Sequence, residues 1–467
     1  YTVTSGGANV TLNGAISTNG PMNIGGGNLY LNSNLTSTLS GAAVSLYGTA
    51  KITLASSKTI QTNGGNILFK ANSTGLATGG IELQPSSSLL SYGGNITLGG
   101  GYNGSQGNGL YAATAVSGGY PAVYLNSTTI SAGGGNIKIY GNETLNFDDG
   151  VRIYTSSITT TGTGSIGIYG DAYGGYNGAY YGGISFRTGG NLVQTDAGPI
   201  EVIGTLTNAS NNSAAGLSFY VGNSTSGTIE IVSKSGSILV GGQEAANNTA
   251  TWGINHWSNG NVYIGSPSSA SWTDTGNVTL RFTDLWPAGS NTLNIKTSGG
   301  VTLQPFGTSF SSALTFPMAN MLVNAAASSL TIGSPTNTAD ITIGTATSIA
   351  GPITVYGGNI NIGANLISSS TTGNGIALYA SKNINSTATG LTVQTSGANI
   401  LFDSNIGAAG GSIDLDRMSV LSNGGNITLG GGANGTDYAV GTNTSNMPTY
   451  TTGSEYKGVF LQGSTLN

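Results

Sequence analysis

The stretch LSYGGNITLGGGYNG, residues 90–104, returns as LSNGGNITLGGGANG at 421–435, identical at thirteen of fifteen positions and displaced by 331 residues. Each copy holds a glycine pair, an asparagine, and then an apolar–polar–apolar triplet that runs into more glycine. Alternation with a period of two is the mark of a half-buried strand. Gly-Gly and Asn-Gly supply the corners where φ turns positive. The same unit recurs as GGGNIKIY, TGSIGIYG, AGPIEVIG, SGTIEIVS, NGNVYIGS and TGNVTLRF, often 12 to 17 residues apart, as from Leu29 to Val44 and from Ile67 to Ile81 and Ile96. No segment of ten residues carries a 3.6-residue apolar period, so the chain reads as all-β.

The duplication is longer than the motif. Residues 20–35 (GPMNIGGGNLYLNSNL) align with 351–366 (GPITVYGGNINIGANL), and 61–69 (QTNGGNILF) with 394–402 (QTSGANILF). The match ends with 123–131 (VYLNSTTIS) against 459–467 (VFLQGSTLN), the offset drifting from 331 to 336. Three regions follow: copy A at 1–141, a non-duplicated middle at 142–330 rich in aromatic loops, and copy B at 331–467. The repeat stops in mid-pattern and the chain opens at Tyr1 inside YTVT, as expected of a processed window on a longer array.

Composition separates the two all-β architectures that compete. Charged residues are 6% of the 467, and 79 are glycine, against roughly 25% charged and about 7% glycine in an average domain. Sandwich domains would each carry a distinct core. A parallel β-solenoid stacks short, glycine-cornered strands coil upon coil, with loop insertions between them. Equivalent positions then lie about 4.8 Å apart, where like charges repel and Asn, Ser and Thr form hydrogen-bonded ladders. At roughly 20 to 30 residues per coil the rod would be on the order of 75 to 110 Å long, and the 331-residue offset should be a whole number of coils.

The segments NGAISTNGPMNIGGGNLYLNSNLTS (13–37), GGNITLGGG and VYLNSTTISAGGGNIKI (123–139) resemble the glycine-rich repeats of filamentous haemagglutinin-like exoproteins, and are similar in style to autotransporter passengers. The resemblance implies an elongated, right-handed β-helix at the cell surface, exported, and engaged in adhesion or cell–cell contact. The secretion module of that family, an RGD tripeptide and a carboxy-terminal membrane barrel are not recognisable.

Charge narrows the partners. The net charge is −5, with 12 lysines and arginines scattered along the chain, so the cation clusters that neutralise phosphates are missing. No run of 18 apolar residues spans a membrane. There is no cysteine, which leaves stability to packing and hydrogen bonds and does not fix a compartment. Sequons at Asn34, Asn72, Asn95, Asn126, Asn223, Asn277 and Asn385 arise readily in so polar a chain.

Acid–base chemistry needs carboxylates converging in one groove. The candidates are Asp148, Asp149 and Arg152 in NFDDGVR, and Asp414, Asp416 and Arg417 in IDLDR. The plainer reading makes the first a turn and the second a solvated strand face. The calcium nonapeptide GGxGxD is absent, the sole histidine, His256, cannot form a metal site alone, and no nucleophile elbow occurs in its strand–turn–helix setting. The glycine runs are followed by strands, so they are not phosphate loops. No cofactor or metal is called for, and the chain reads as a non-enzyme.

Aromatic residues mark a contact region. Trp252, Trp257, Trp272 and Trp286 fall within 35 residues of the middle, and Tyr173, Tyr176, Tyr180 and Tyr181 form a second patch. Aromatics on a rigid β surface stack on sugar rings, whose hydroxyls want Asn and Gln nearby. The alternative is that they fill a widened core or a packed loop. The chain is thus expected to be an extracellular rod, an adhesin or structural fibre, that contacts glycans or its own copies. Competing readings are a self-assembling filament or sheath without a ligand, and a polysaccharide-degrading β-helix enzyme.

Overall fold

The computed structural model describes residues 1–72, 79–100, 113–114, 121–143, 148–173, 181–207, 214–221, 227–245, 252–257, 260–269, 271–288, 291–404, 406, 411–431, 439 and 458–467. Among them every regular element is a strand and every strand pairing is parallel. The chain packs as two compact units, Tyr1–Lys296 and Thr297–Asn467. This division reflects packing, whereas the three regions above reflect duplication.

Each unit is a parallel β-solenoid with three strands to the coil, one for each of three sheets. In the first unit, Ile96–Gly100, Val123–Asn126 and Thr129–Ser131 make one such coil, and Ile137–Glu143, Val151–Tyr154 and Ser157–Thr159 the next. Among the described pairings coil length varies from 19 residues (Val10 to its partner Leu29) to 46 (Ile413 to Val459). Most of the extra residues fall in the corners, and the strand register shifts only locally in the described pairings, between Thr36 and Ser40 and between Asn374 and Ile376.

Alternation turns into columns. On the first sheet Val44, Ile67, Ile96, Ile137 and Ile166 follow one another coil by coil, all fully buried. On the second sheet Leu83, Leu125, Ile153, Phe186 and Phe219 do the same. Fully burying such a side chain contributes about 1.5–3 kcal/mol, so the core is a set of apolar stacks that any coil can extend. The second unit repeats the scheme with Leu330, Ile353, Ile376 and Ile400.

The quoted motif is the corner that starts each first-sheet strand. Gly65, Gly94, Gly135, Gly164, Gly198, Gly236 and Gly276 form one column; a Cβ on Gly94 would stand 2.1 Å from the Gly65 carbonyl oxygen, and one on Gly135 2.1 Å from that of Gly94. The turn is closed from within: the Thr62 hydroxyl donates to the Gly65 carbonyl at 2.5 Å, and the Thr195 hydroxyl to that of Gly198 at 2.7 Å. The asparagine after the glycine links coils. The Asn95 N–H donates to Asn66 Oδ1 at 2.9 Å, the Asn136 N–H to Asn95 Oδ1 at 2.8 Å, and the Ser165 N–H to Asn136 Oδ1 at 2.8 Å. Copy B keeps the device, with the Ser422 hydroxyl on the Gly425 carbonyl at 2.5 Å and the Asn426 N–H on Asn399 Oδ1 at 2.9 Å. The sequon residues Asn34 and Asn95 therefore already serve as backbone acceptors.

The duplication is a whole number of coils. Met22–Gly26 is the fourth strand and Ile353–Gly357 the thirty-eighth. Setting aside the two-residue strand Ala113–Thr114, the step from one to the other is thirty-three strands, which is eleven triplets. Matched segments keep their place in the coil: Ile67–Ala71 with Asn399–Ser404, Ile81–Leu83 with Ile413–Asp416, Ser88–Leu90 with Ser419–Leu421.

The middle coils of the first unit depart from the plain prism. Here first-sheet strands lengthen to seven residues, as in Ile166–Ala172 and Ile200–Leu206. At Gly170 and Gly204 the backbone meets the second sheet directly: a Cβ would lie 2.0 Å from the carbonyl oxygens of Gly183 and Gly216 respectively. Beyond this pinch the two sheets continue as a double layer with its own small core of Ala172, Leu206, Ala214 and Ala245.

The column predicts opposite outcomes for two alanine substitutions. Gly94→Ala should destabilise the first unit by about 3 kcal/mol, because the new methyl must displace a backbone carbonyl. Gly134→Ala, where nothing lies within 4 Å, should stay within about 0.5 kcal/mol of the parent. All four tryptophans lie in the first unit, so their fluorescence during urea unfolding reports it selectively.

Candidate functional site

The outer side of the second sheet, across the middle coils of the first unit, carries two adjacent columns. One runs Tyr124, Arg152, Ser185, Ser218, Asn255, Trp286. The other runs Tyr154, Arg187, Tyr220, and Trp257 stands on the next strand one residue past the pair Phe219 and His256. These are outward positions, yet Ser185, Ser218 and Asn255 are fully buried.

The lower half of the strip is ionic. Arg152 bonds Asp148, and its Nε donates to Asp149 Oδ2 at 2.6 Å; Arg187 Nη2 reaches the same oxygen at 3.3 Å. Asp149 Oδ1 accepts the Gly182 N–H at 2.8 Å. Tyr181 lies against both guanidiniums, 5.6 Å from Arg152 and 4.8 Å from Arg187. Burial and the charge of Arg187 push Arg152 down to about 10, so it stays cationic at neutral pH. Asp148 and Asp149 lie in the bend before Val151–Tyr154, buried. They are buried counter-ions, and removing one partner of a buried pair costs about 3–5 kcal/mol.

The upper half is aromatic. Trp252 stacks on Trp286 with ring centres 4.9 Å apart, and Trp257 meets Trp286 edge-on at 5.0 Å. Trp257 is 36% exposed. Stacked and edge-on pairs contribute about 0.5–1.5 kcal/mol beyond their area, so the trio is a rigid platform with one open member. Three of the four sequence-selected tryptophans therefore converge. Trp272 is half-buried in the turn after Val262–Gly265, and its ring is not part of the stack. Of the tyrosines, Tyr181 belongs to the ionic half and Tyr173 is exposed, its N–H bonded to the Glu143 carbonyl. Tyr176 and Tyr180 lie outside the described residues.

His256 occupies a core position, directly after Leu125, Ile153, Phe186 and Phe219 in their inward column. In the second unit, Asp414 and Asp416 share a strand, and the face is only partly solvated: Asp414 is 8% exposed and sits beside Asn385, while Asp416 keeps part of its surface in solvent. Burial, then the charge of Asp416, raises the Asp414 carboxyl. Asp416 pairs with Arg417 at 3.1 Å. Among the described residues no group of three or more His, Cys, Asp or Glu side chains could hold a metal ion.

Sequence reading missed Arg187, Tyr154, Tyr220, Ser218 and Asn255. They become neighbours only through coil register, at separations of 33 to 37 residues (Tyr154 to Arg187, Tyr220 to Trp257), and aligning the strand units coil by coil would have stacked them.

Two groups beside the platform, the buried His256 and the half-buried Asp284, titrate in opposite senses. His256 is pushed down from 6.5 to about 4 by burial, so the native state holds it neutral; its contribution is present above pH 6.5 and lost as pH falls toward 4. Asp284 is pushed up from 3.8 to about 6 by burial; its contribution is complete below pH 3.8 and lost as pH rises through 6. The two offset each other between pH 4 and 6. His256→Gln should make the first unit more stable at pH 4.5 than at pH 7, and Asp284→Asn should do the reverse, each by on the order of 2 kcal/mol relative to the parent. Urea midpoints of the three proteins at both pH values give the comparison.

No protein-family model, curated protein or solved structure matches the chain.

Proposed function

We propose that this chain is part of an extracellular, non-catalytic β-solenoid of the adhesin or structural-fibre kind, and that the aromatic strip on its second sheet is a glycan-contact face. The observation that carries the reading is the trio of Trp252, Trp257 and Trp286 on a parallel sheet, with Trp257 open to solvent. A stack of coils held in register is stiff, and a stiff platform loses little entropy when a sugar ring settles on an indole. Low charge fits a neutral ligand better than a phosphate or an anionic surface. Support for action outside the cell comes from the repeat style and the solenoid architecture.

A catalytic reading has one observation in its favour: Asp148 and Asp149 meet Arg152 and Arg187 on the same strip as the tryptophans. Against it, both carboxylates are tied to guanidiniums, and Asp149 also to a backbone N–H. A general acid or base needs an oxygen within reach of substrate.

Glycan-array screening followed by calorimetric titration of the best ligand separates these readings. Trp257→Ala should weaken binding at least tenfold, and Tyr30→Ala, an exposed aromatic elsewhere on the same sheet, should leave it unchanged. Release of reducing ends from the bound polysaccharide would replace the adhesin reading with the catalytic one. Absence of glycan binding, with end-to-end filaments in electron micrographs, would favour a ligand-free fibre.

A further inference from the structure

Beneath the tryptophans lies a group of polar atoms without partners. Asn255 is fully buried, and neither Oδ1 nor Nδ2 of its amide has a hydrogen bond. Ser218, its register partner one coil below, is fully buried with an unbonded Oγ. The Trp252 indole Nε1, on the same strand as Asn255, is buried and unbonded as well. Elsewhere asparagine amides are spent on ladders, as at Asn66, Asn95 and Asn136, and the next serine down the column, Ser185, accepts from Arg187 Nε at 3.2 Å. Buried polar groups are nearly always bonded, so three unbonded ones together call for an occupant.

We propose that Asn255, Ser218 and the Trp252 indole N–H form the hydrogen-bonding half of the glycan site, taking adjacent hydroxyls of a neutral sugar whose ring rests on the tryptophans. The proposal rests on the glycan-contact reading above and names its specificity-determining residues. The chemistry of the open atoms selects the ligand. Asn255 offers an acceptor and a donor group, Ser218 can do either, and Trp252 only donates. An anion would be repelled by Asn255 Oδ1. A metal ion would face the Nδ2 and Nε1 hydrogens. A hydroxyl donates and accepts, and two neighbouring hydroxyls match an amide edge. Trp257, the exposed member, stands two residues along the strand from Asn255 and changes rotamer to admit the ring, a common adjustment on binding.

Retaining an unbonded buried amide destabilises the fold, and an apolar residue of similar size removes that cost. Stability and binding should therefore move in opposite directions. In the full-length chain, Asn255→Leu should raise the Tm of the first unit and lower affinity at least tenfold for whichever of methyl α-mannoside, methyl β-glucoside and methyl β-galactoside the parent binds, read by tryptophan fluorescence. Ser218→Ala, a smaller change, should lower affinity several-fold with the Tm unchanged or higher. The unaltered protein should bind 3-deoxy and 4-deoxy analogues of that glycoside unequally, the one lacking a bonded hydroxyl at least tenfold more weakly.

If Asn255→Leu and Ser218→Ala bind within twofold of the parent and both deoxy analogues match the parent sugar, the atoms hold ordered water only and the proposal is wrong. Loss of binding in Trp257→Ala would in that case leave the aromatic reading standing. If the parent binds none of the three glycosides and no array glycan, the glycan-contact reading fails and the proposal with it.

Discussion

The close approach of one backbone to the next at the glycine corner governs this molecule. In the column from Gly65 to Gly276 there is no room for a Cβ between coils, so successive chains touch peptide to peptide. That contact fixes where every first-sheet strand begins. Once the start is fixed, Ile96 must lie on Ile67 and Ile137 on Ile96, and the other two sheets inherit the alignment. The asparagine that follows reads the same constraint from outside, since Asn95 can bond Asn136 only when the coils are in register. Scarcity of charge is the corresponding cost, because a column of identical ionised side chains about 4.8 Å apart would oppose the stacking that the glycines enforce.

The middle of the first unit uses the same device twice. Glycines such as Gly170 and Gly183 let two sheets meet without side chains between them, and the double layer beyond carries Ala172 and Leu206 as a second core. The ionic half of the strip sits beside this junction: Asp149 binds the Gly182 N–H and both arginines. It braces the strip's geometry, with the tryptophans, the proposed contact surface, at the other end. His256 shows how strictly position overrides chemistry here. Placed where Leu125, Ile153 and Phe219 stand in other coils, the sole histidine is a buried neutral ring.

Much of the fold was readable from residues alone. The period-two triplets after GGN located strands such as Ile67–Ala71 and Ile96–Gly100, and the 331-residue offset resolves into eleven strand triplets. Register across coils was not readable, because coil length ranges from 19 to 46 residues among the described pairings and the insertions hide which positions are stacked. For that reason Trp252, Trp257 and Trp286 were identified as a group from their nearness in sequence, while Arg187, 38 residues from Asp149, and Ser218, 37 residues from Asn255, were not. Trp272 met the same sequence criterion and lies apart, since nearness along the chain does not set which coil face a residue occupies. Burial of Asp414 was likewise hidden: alternation placed it with Asp416 on one face but could not say what covers that face.

Parallel, in-register stacking underlies the core, the corner and the strip alike, and the absence of cysteine allows a clean probe of it. Ser88 and Thr129 are register partners on the third sheet, and neighbouring parallel Cα atoms about 4.8 Å apart lie within disulfide reach. Ser88 and Ser131 differ from that pair by one two-residue step. Mild oxidation of the Ser88→Cys/Thr129→Cys chain should give a rapid intramolecular disulfide, and the Ser88→Cys/Ser131→Cys chain should remain reduced. Equal cross-linking of both pairs, or of the shifted pair alone, would contradict the register on which the core columns, the glycine corner and the aromatic strip all depend.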